Sequence, residues 1–161
     1  MLVLGIDPGS RVTGYGLVKK SATAMSYIAS GCIRLSNDTL AARLYQLHAA
    51  MTQLINQYQP DVVAIEKVFM HKNFDSVMKL GQARGVLILA AAAITKDIFE
   101  YSPREVKQAV VGYGAAEKAQ IQAMVASILK LSTAPQQDAA DALAIAICHI
   151  NQHKLAAMIK N

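Results

Sequence analysis

The sequence predicts an α/β fold with a five-stranded mixed sheet flanked by helices, and two observations carry that prediction. Three extended segments come first, at Leu2 to Ile6, Val12 to Val18 and Met25 to Leu35, with connections short enough for an antiparallel meander. From Asp38 onward, helical periodicity alternates with two short apolar runs of strand length. Strands that alternate with helices favour parallel pairing, so the sheet is expected to be mixed.

In the second half of the chain, prolines and changes in the spacing of apolar residues mark where helices and strands begin and end. Helical spacing begins at Leu40 and ends before Pro60. The segments that follow are a strand at Val62 to Ile65, a helix from about Asp75 to Thr95, a strand at Ile98 to Tyr101, and helices at Pro103 to about Val110, Ala115 to Leu131 and Pro135 to about His153. This order of elements is the one expected of a ribonuclease-H-like fold.

Composition narrows the class of protein without fixing its function. A chain of 161 residues with no linker, repeat or low-complexity tract predicts a single domain over residues 1–161. The longest uncharged apolar stretch is too short to cross a bilayer, and the chain begins with a strand pattern rather than a leader, so a cytoplasmic protein is expected. Cys32 and Cys148 lack metal-finger spacing and are expected to be reduced thiols. The net charge of +5 permits a phosphate-rich partner without demanding one.

Two apolar strands end in a carboxylate, which is costly unless something compensates the charge. Asp7 ends the first strand and is followed at once by Pro8 and Gly9, while Glu66 ends the strand that begins at Val62. If these strands are parallel neighbours, both side chains emerge at the edge of the sheet where α/β proteins build their sites. Taken singly, each acid is explained more simply as the first exposed residue after a strand.

The last helix adds two more carboxylates. Asp138 and Asp141 are three residues apart and share a helical face, above an apolar stripe of Ala142, Ile145 and Cys148 that should face the core. An acid in the first helical turn, as Asp138 is, also suits the helix dipole. Asp141 sits deeper and heads the buried stripe, so a solvated role explains it less well.

Four acids brought together would repel unless cations lie between them. Carboxylate ligands without a Cys or His cluster favour Mg²⁺, with Mn²⁺ as a substitute, over zinc. Two such ions are the usual device for in-line cleavage of a phosphodiester. The carboxylates therefore predict a metal-dependent site.

Five ordered blocks, spanning about residues 2 to 150, carry a family resemblance. They are GIDPGSRVTGYG, AIEKVFM, KLGQARGV, REVKQAVVG and QDAADALAIAI. Together they resemble the RuvC crossover-junction endonucleases, the bacterial Holliday-junction resolvases. The resemblance implies a homodimeric nuclease that nicks two strands of like polarity symmetrically across a four-way DNA junction. It also implies 5′-phosphate and 3′-hydroxyl ends and cooperation with the RuvA and RuvB branch-migration complex.

The resemblance also assigns roles to residues. The metal-binding and catalytic acids fall on Asp7, Glu66, Asp138 and Asp141, with two ions per site. Phe69 would stack on unpaired bases at the junction. DNA-backbone contacts are expected from Lys107 and Lys118, and further phosphate contacts from Arg11, Lys72, Arg84 and Arg104.

Small residues at two other positions suggest structural roles. Gly81 and Gly85 lie four apart on the long helix and would let a second helix approach, either from the same chain or from a dimer partner. Thr13 could orient a phosphate, but a role in the turn after Asp7 fits it better.

Three other functions share parts of this pattern. The glycines after Asp7 resemble the phosphate loop of the actin and sugar-kinase ATPases, of which this chain would be a fragment. A protein that holds branched DNA without cutting it would not require four acids. A general ribonuclease H would use the same metal chemistry on an RNA–DNA hybrid.

Overall fold

A computed structural model describes residues 1–36, 38–68 and 73–159, with side chains as far as residue 153. The strands in these ranges are β1 (Leu2–Asp7), β2 (Val12–Lys20), β3 (Met25–Arg34), β4 (Val62–Glu66) and β5 (Ile98–Tyr101). The helices are α1 (Leu40–Tyr58), α2 (Phe74–Ala92), α3 (Pro103–Val111), α4 (Lys118–Ile128) and α5 (Gln137–Ile159).

The five described strands form one mixed sheet in the order β3-β2-β1-β4-β5. The first three pair antiparallel, whereas β4 pairs parallel with both β1 and β5. This confirms the predicted fold class and strand set. In the described ranges, no helix is both long and apolar enough to cross a membrane.

Helix boundaries were predicted less well than helix positions. α4 begins at Lys118 rather than Ala115, because the side chain of Gln120 accepts a hydrogen bond from the backbone N–H of Glu117 (2.9 Å) and caps the helix there. α5 begins at Gln137, two residues after the predicted start, and continues past His153 to Ile159.

The central strands are buried on both faces, which explains their continuous apolar runs. One face carries Leu4, Ile6 and Ile65 against α1 and α2, and the other carries Val3 and Ala64 against α3, α4 and α5. The sheet is therefore the middle layer of three. Its strand ends are the only part of β1 and β4 where a charged side chain can reach water.

Helix α5 lies directly on the backbone of β1 and β2 because glycines leave room for it. A Cβ atom added at Gly5 would overlap the carbonyl oxygen of Ala142, and one at Gly14 would overlap the carbonyl oxygen of Asp138. A Cβ at Gly16 would also be too close to the helix. The absence of side chains at these three positions sets the depth of α5 on the sheet.

Gly5→Ala should destabilise the protein, because the new methyl group meets helix backbone that can move only if α5 moves. We expect the free energy of unfolding to fall by about 1 to 3 kcal/mol or more, as for other overpacked cores. Denaturant unfolding followed by circular dichroism measures it.

Gly81→Ala is the matched control. No atom of the described residues lies within 4 Å of a Cβ placed there, and the position is in the interior of α2. At protein concentrations too low for chains to associate, this change should stabilise the helix by about 0.5 to 1 kcal/mol. Equal stability of the two variants would contradict the close approach of α5.

Candidate active site

Three carboxylates from distant parts of the chain line one cavity of about 290 Å³. They are Asp7 at the end of β1, Glu66 at the end of β4 and Asp141 on α5. Lys107 of α3 and Lys118 of α4 line the same cavity. The predicted meeting of these three acids is confirmed as geometry, while their chemical roles stay predictions.

The register of the sheet brings Asp7 and Glu66 together. Ile6 pairs with Ile65 in the parallel ladder, so the residue that follows each of them leaves the sheet at the same level. The turn after Asp7 is then held by the buried Thr13. Its hydroxyl accepts a hydrogen bond from the N–H of Gly9 (3.2 Å) and donates one to the carbonyl of Gly9 (3.1 Å). The turn role expected for Thr13 is confirmed.

Helix α5 supplies the other two acids from its first two turns. Asp141 reaches the cavity, and the stripe below it, Ala142, Ile145 and Cys148, is buried as predicted. Asp138 does not belong to the described cavity lining, although its charge acts on Asp7. Asp138 is half-buried one helical turn before Asp141, and its negative charge also raises the pKa of Asp141, so it acts electrostatically on two acids of the cavity.

Burial and like charge make Asp7 the most perturbed acid of the site. Burial is the largest cause, and the negative charges of Glu66, Asp141 and Asp138 add to it, which raises the pKa of Asp7 to about 8. The positive charge of Lys118 opposes the shift. At neutral pH, Asp7 thus holds a proton unless a cation replaces it.

The other two acids of the cavity are shifted in the same direction. Burial, followed by the charge of Asp141, raises the pKa of Glu66 to about 7. Burial also raises the pKa of Asp141, and Asp138 contributes to that rise. Lys118 and Lys107 lower the pKa of both Glu66 and Asp141, so the two lysines partly offset the negative charge.

The donor set fits a hard divalent cation. The polar groups that line the described cavity are carboxylates and ammonium groups, without a Cys or His. Within the described residues, no three His, Cys, Asp or Glu side chains form a ready ligand set for one ion. Mg²⁺ does not require such a set, because it is usually held by one or two carboxylates together with waters and substrate phosphates.

The apolar wall of the cavity was missed by sequence reasoning. Val106 and Ile121, from α3 and α4, are buried and face the carboxylates together with Pro103. These side chains exclude water and thereby contribute to the desolvation that raises the pKa of the acids. The amphipathic spacing of the two helices was visible in the sequence, but it did not say which strand end they cover.

The predicted DNA-contacting residues fall into three groups. Lys107 and Lys118 lie at the cavity, and Arg104 is exposed at the start of α3. Arg11 is exposed in the turn between β1 and β2. Phe69 and Lys72 lie outside the described residues.

Arg84 differs from these cations because its guanidinium group is engaged within the protein. Its Nε donates a hydrogen bond to the backbone carbonyl of Glu66 (3.1 Å), and its terminal nitrogen lies 2.7 Å from a carboxylate oxygen of Glu100. The phosphate contact expected from the sequence stays a prediction, and the structure adds a second role to be considered.

Comparison with known proteins identifies related sequences over nearly the whole chain. The family model described as crossover junction endodeoxyribonuclease RuvC matches residues 3–149. The protein of that name from Photorhabdus laumondii is 60% identical over 156 residues, which cover 96% of this chain and 90% of the relative. The one from Legionella pneumophila is 60% identical over 149 residues, covering 92% of this chain and 86% of the relative.

Solved structures show the same relationship. Thermus thermophilus RuvC in complex with a Holliday junction substrate superimposes with a TM-score of 0.90 at 33% identity, covering 97% of this chain and 96% of that one. The yeast mitochondrial Holliday junction resolvase superimposes with a TM-score of 0.71 at 14% identity, covering 96% and 80% of the two chains. The second similarity concerns the fold alone.

Asp7→Asn should stabilise the protein at high pH when no divalent ion is present. Because the pKa of Asp7 is raised from 3.8 to about 8 in the folded state, the folded state binds more protons than the unfolded state between these values. The stability of the parent chain therefore falls as the pH rises from about 4 to about 8. Asparagine does not ionise, so the variant does not lose stability in this way as the pH rises.

The measurement is the melting temperature in a chelator at pH 4, 6 and 8. The two proteins should melt alike at pH 4, and the advantage of Asp7→Asn should grow toward pH 8. Added Mn²⁺ should raise the melting temperature of the parent chain and leave that of the variant nearly unchanged. A constant difference across the pH range would contradict the assignment of the raised pKa to Asp7.

Proposed function

The chain belongs to the RuvC family of crossover junction endodeoxyribonucleases, and from this membership we propose how it resolves a Holliday junction. It is a DNA endonuclease selective for the four-way junction. We propose that it makes symmetric paired nicks in strands of like polarity and leaves 5′-phosphate and 3′-hydroxyl ends, in DNA recombination and repair. The observation that carries this reading is the single cavity lined by Asp7, Glu66 and Asp141.

The chain is a metal-dependent nuclease by family, and we propose Mg²⁺, with Mn²⁺ as a substitute, at two ions per site. Asp7, Glu66, Asp138 and Asp141 would hold them. Support comes from the oxygen-only donor set and from the raised pKa of Asp7 and Glu66, which a cation would relieve. The chemistry that such ions supply is stabilisation of negative charge on the attacking and leaving oxygens of an in-line displacement.

The side chains around the acids prepare the cavity for a phosphodiester. Lys107 and Lys118 provide positive charge opposite the carboxylates, so a phosphate that enters meets ammonium groups on one side. Val106 and Ile121 limit access of water, which strengthens the electrostatic interactions inside. These residues would orient the scissile phosphate next to the acids.

DNA binding would extend from the cavity over the surrounding surface. Arg104 and Arg11 are exposed near this end of the molecule, and Phe69 and Lys72 are proposed contacts beyond the described residues. Stacking of Phe69 on an unpaired base would favour a junction over an intact duplex. Phosphate contacts from the basic residues would make the affinity fall with rising salt.

We propose a homodimer that forms over α2. The outer face of this helix exposes Phe74, Met78 and Leu89, interrupted by Gly81 and Gly85. No atom of the described residues lies within 4 Å of a Cβ placed at either glycine, so packing against that part of the chain does not account for them. Two nicks in two strands require two active sites, which a dimer supplies.

The remaining proposals rest on family membership. The chain would act as a single domain, residues 1–161, in the cytoplasm together with the RuvA and RuvB branch-migration complex. The ATPase and non-cleaving alternatives are disfavoured because the relatives that match nearly the whole chain are named endonucleases.

Incubation with a synthetic mobile four-way junction tests the proposed reaction. Mg²⁺ should produce paired symmetric nicks, and a chelator should abolish them. Asp7→Asn should bind the junction as before and lose cleavage by more than about 100-fold, because changes behind a metal ligand already cost about 10- to 100-fold. Gel assays of binding and cleavage measure the two properties separately.

Three other outcomes would redirect the assignment. Undiminished cleavage by Asp7→Asn would remove Asp7 from the mechanism. Preferential cleavage of an RNA–DNA hybrid would favour a ribonuclease H, and ATP-dependent phosphoryl transfer without DNA cleavage would favour the ATPase reading.

Leu89→Glu tests the proposed dimer. The Leu89 side chain is 64% exposed on the outer face of α2, and a charge buried in an interface is strongly unfavourable. We expect monomers in sedimentation equilibrium and loss of coordinated paired nicking. Tyr45→Glu is the control, since Tyr45 is 75% exposed on a different helix, α1, and this variant should stay dimeric. Dimers of Leu89→Glu would place the interface elsewhere.

A further inference from the structure

Arg84 reaches from α2 to the end of the strand that carries Glu66. Its side chain is only 18% exposed, and its guanidinium group makes one hydrogen bond through Nε and an ion pair, without a hydrogen bond, through a terminal nitrogen. Nε donates to the carbonyl of Glu66 at 3.1 Å, and a terminal nitrogen lies 2.7 Å from the carboxylate of Glu100 on β5. An arginine that contacts phosphate would instead present its nitrogens to solvent.

The pattern of the parallel ladder explains why the Glu66 carbonyl needs this donor. Val63 N–H bonds to the carbonyl of Asp97 (3.0 Å) and Lys67 N–H to that of Tyr101 (2.8 Å), so the odd-numbered residues of β4 face β5. Backbone groups alternate along a strand, and the carbonyl of Glu66 therefore faces β1.

On β1, the ladder has no donor to offer at this level. The parallel register pairs Ile6 with Ile65, so the next donor to the Glu66 carbonyl would be the backbone nitrogen of Pro8. Proline has no N–H. Arg84 takes its place, and without it a partly buried carbonyl would be left without a hydrogen bond, which is unfavourable.

The result is a peptide bond held at both of its polar atoms. The carbonyl of the Glu66–Lys67 peptide accepts from Arg84, and its N–H donates to Tyr101 on β5. The Glu66 side chain starts from this peptide and points into the cavity. Fixing the peptide therefore fixes the origin and direction of the carboxylate.

We propose that Arg84 is a positioning residue for Glu66, held in place by Glu100, and not a ligand of DNA phosphate. The inference rests on the proposed function, in which Glu66 holds a divalent ion. Arg84 acts through the backbone of Glu66 and sets the metal affinity of the site. It contributes little to the affinity for the junction.

The test compares Arg84→Gln and Arg84→Lys with the matched control Arg104→Gln, which removes an exposed arginine from α3, the helix that carries Lys107. Mn²⁺ binding is measured by calorimetry without DNA, and junction binding is measured in a chelator. Both Arg84 variants should lower Mn²⁺ affinity by about 10- to 100-fold, as changes behind a metal ligand do, and slow cleavage in parallel. Their junction affinity should equal that of the parent chain.

Arg104→Gln should give the opposite result. Its junction affinity should fall and depend less steeply on salt, while Mn²⁺ affinity stays unchanged. Lysine at position 84 keeps the charge but lacks the fork that reaches two partners, so failure of Arg84→Lys to restore Mn²⁺ affinity separates positioning from charge alone.

Glu100→Gln keeps the shape of the partner and removes its charge. It should weaken Mn²⁺ binding less than Arg84→Gln does. If Arg84→Gln does not fold, Glu100→Gln and Arg84→Lys are measured in its place. Loss of junction affinity with normal Mn²⁺ affinity in the Arg84 variants would overturn the inference in favour of a phosphate contact. A lowered melting temperature with normal Mn²⁺ affinity would overturn it in favour of a purely structural role.

The parent chain distinguishes failure of this inference from failure of the proposed function. A parent chain that neither binds Mn²⁺ nor cleaves the junction overturns both. A parent chain that does both, with Arg84 variants that behave like it, overturns the role of Arg84 alone.

Discussion

The close approach of α5 to the backbone of β1 and β2 is the constraint on which the site depends. Gly5 and Gly14 let helix and sheet meet without intervening side chains, and the helix then presents Asp141 beside Asp7. The buried stripe below Asp141 anchors the helix in the core. If α5 moved outward by the width of one methyl group, Asp141 would move away from the other carboxylates that line the cavity. The contacts that pack α5 on the sheet therefore also set the geometry of the site.

Holding these acids together costs stability, and the raised pKa values of Asp7 and Glu66 measure part of that cost. The apolar wall makes the cost larger by excluding water, while Lys107 and Lys118 reduce it. The core stabilises an arrangement that its own charges oppose. Such an arrangement is useful when a cation and an anionic substrate are to complete the charge balance at the moment of reaction.

Much of this could be predicted from the sequence, because the signals were local. Apolar runs that end in Asp7 and Glu66 placed both acids at strand ends, and the spacing of the last helix placed Asp141 above a buried stripe. The start of α4 depended on a hydrogen bond from the backbone N–H of Glu117 to the side chain of Gln120, which the spacing of apolar residues does not show. The depth at which each acid is buried also required coordinates, because spacing along a helix shows which residues share a face but not how far each is covered.

The role of Arg84 could not be predicted from the sequence pattern. A basic residue on a helix near a nuclease site reads as a DNA contact, and only the register of β1 and β4 reveals that Pro8 leaves the Glu66 carbonyl without a donor. The same helix carries Gly81 and Gly85, on either side of Arg84 in sequence, on the face proposed for the dimer. Arg84 lies at the flank of that face, because it follows Gly81 by three residues, so the side of α2 that contacts the Glu66 peptide adjoins the side available to a partner. Since a helix moves as a unit, a partner packed on α2 would restrain the position from which Arg84 holds Glu66, and assembly and metal-site geometry would be connected through a single side chain.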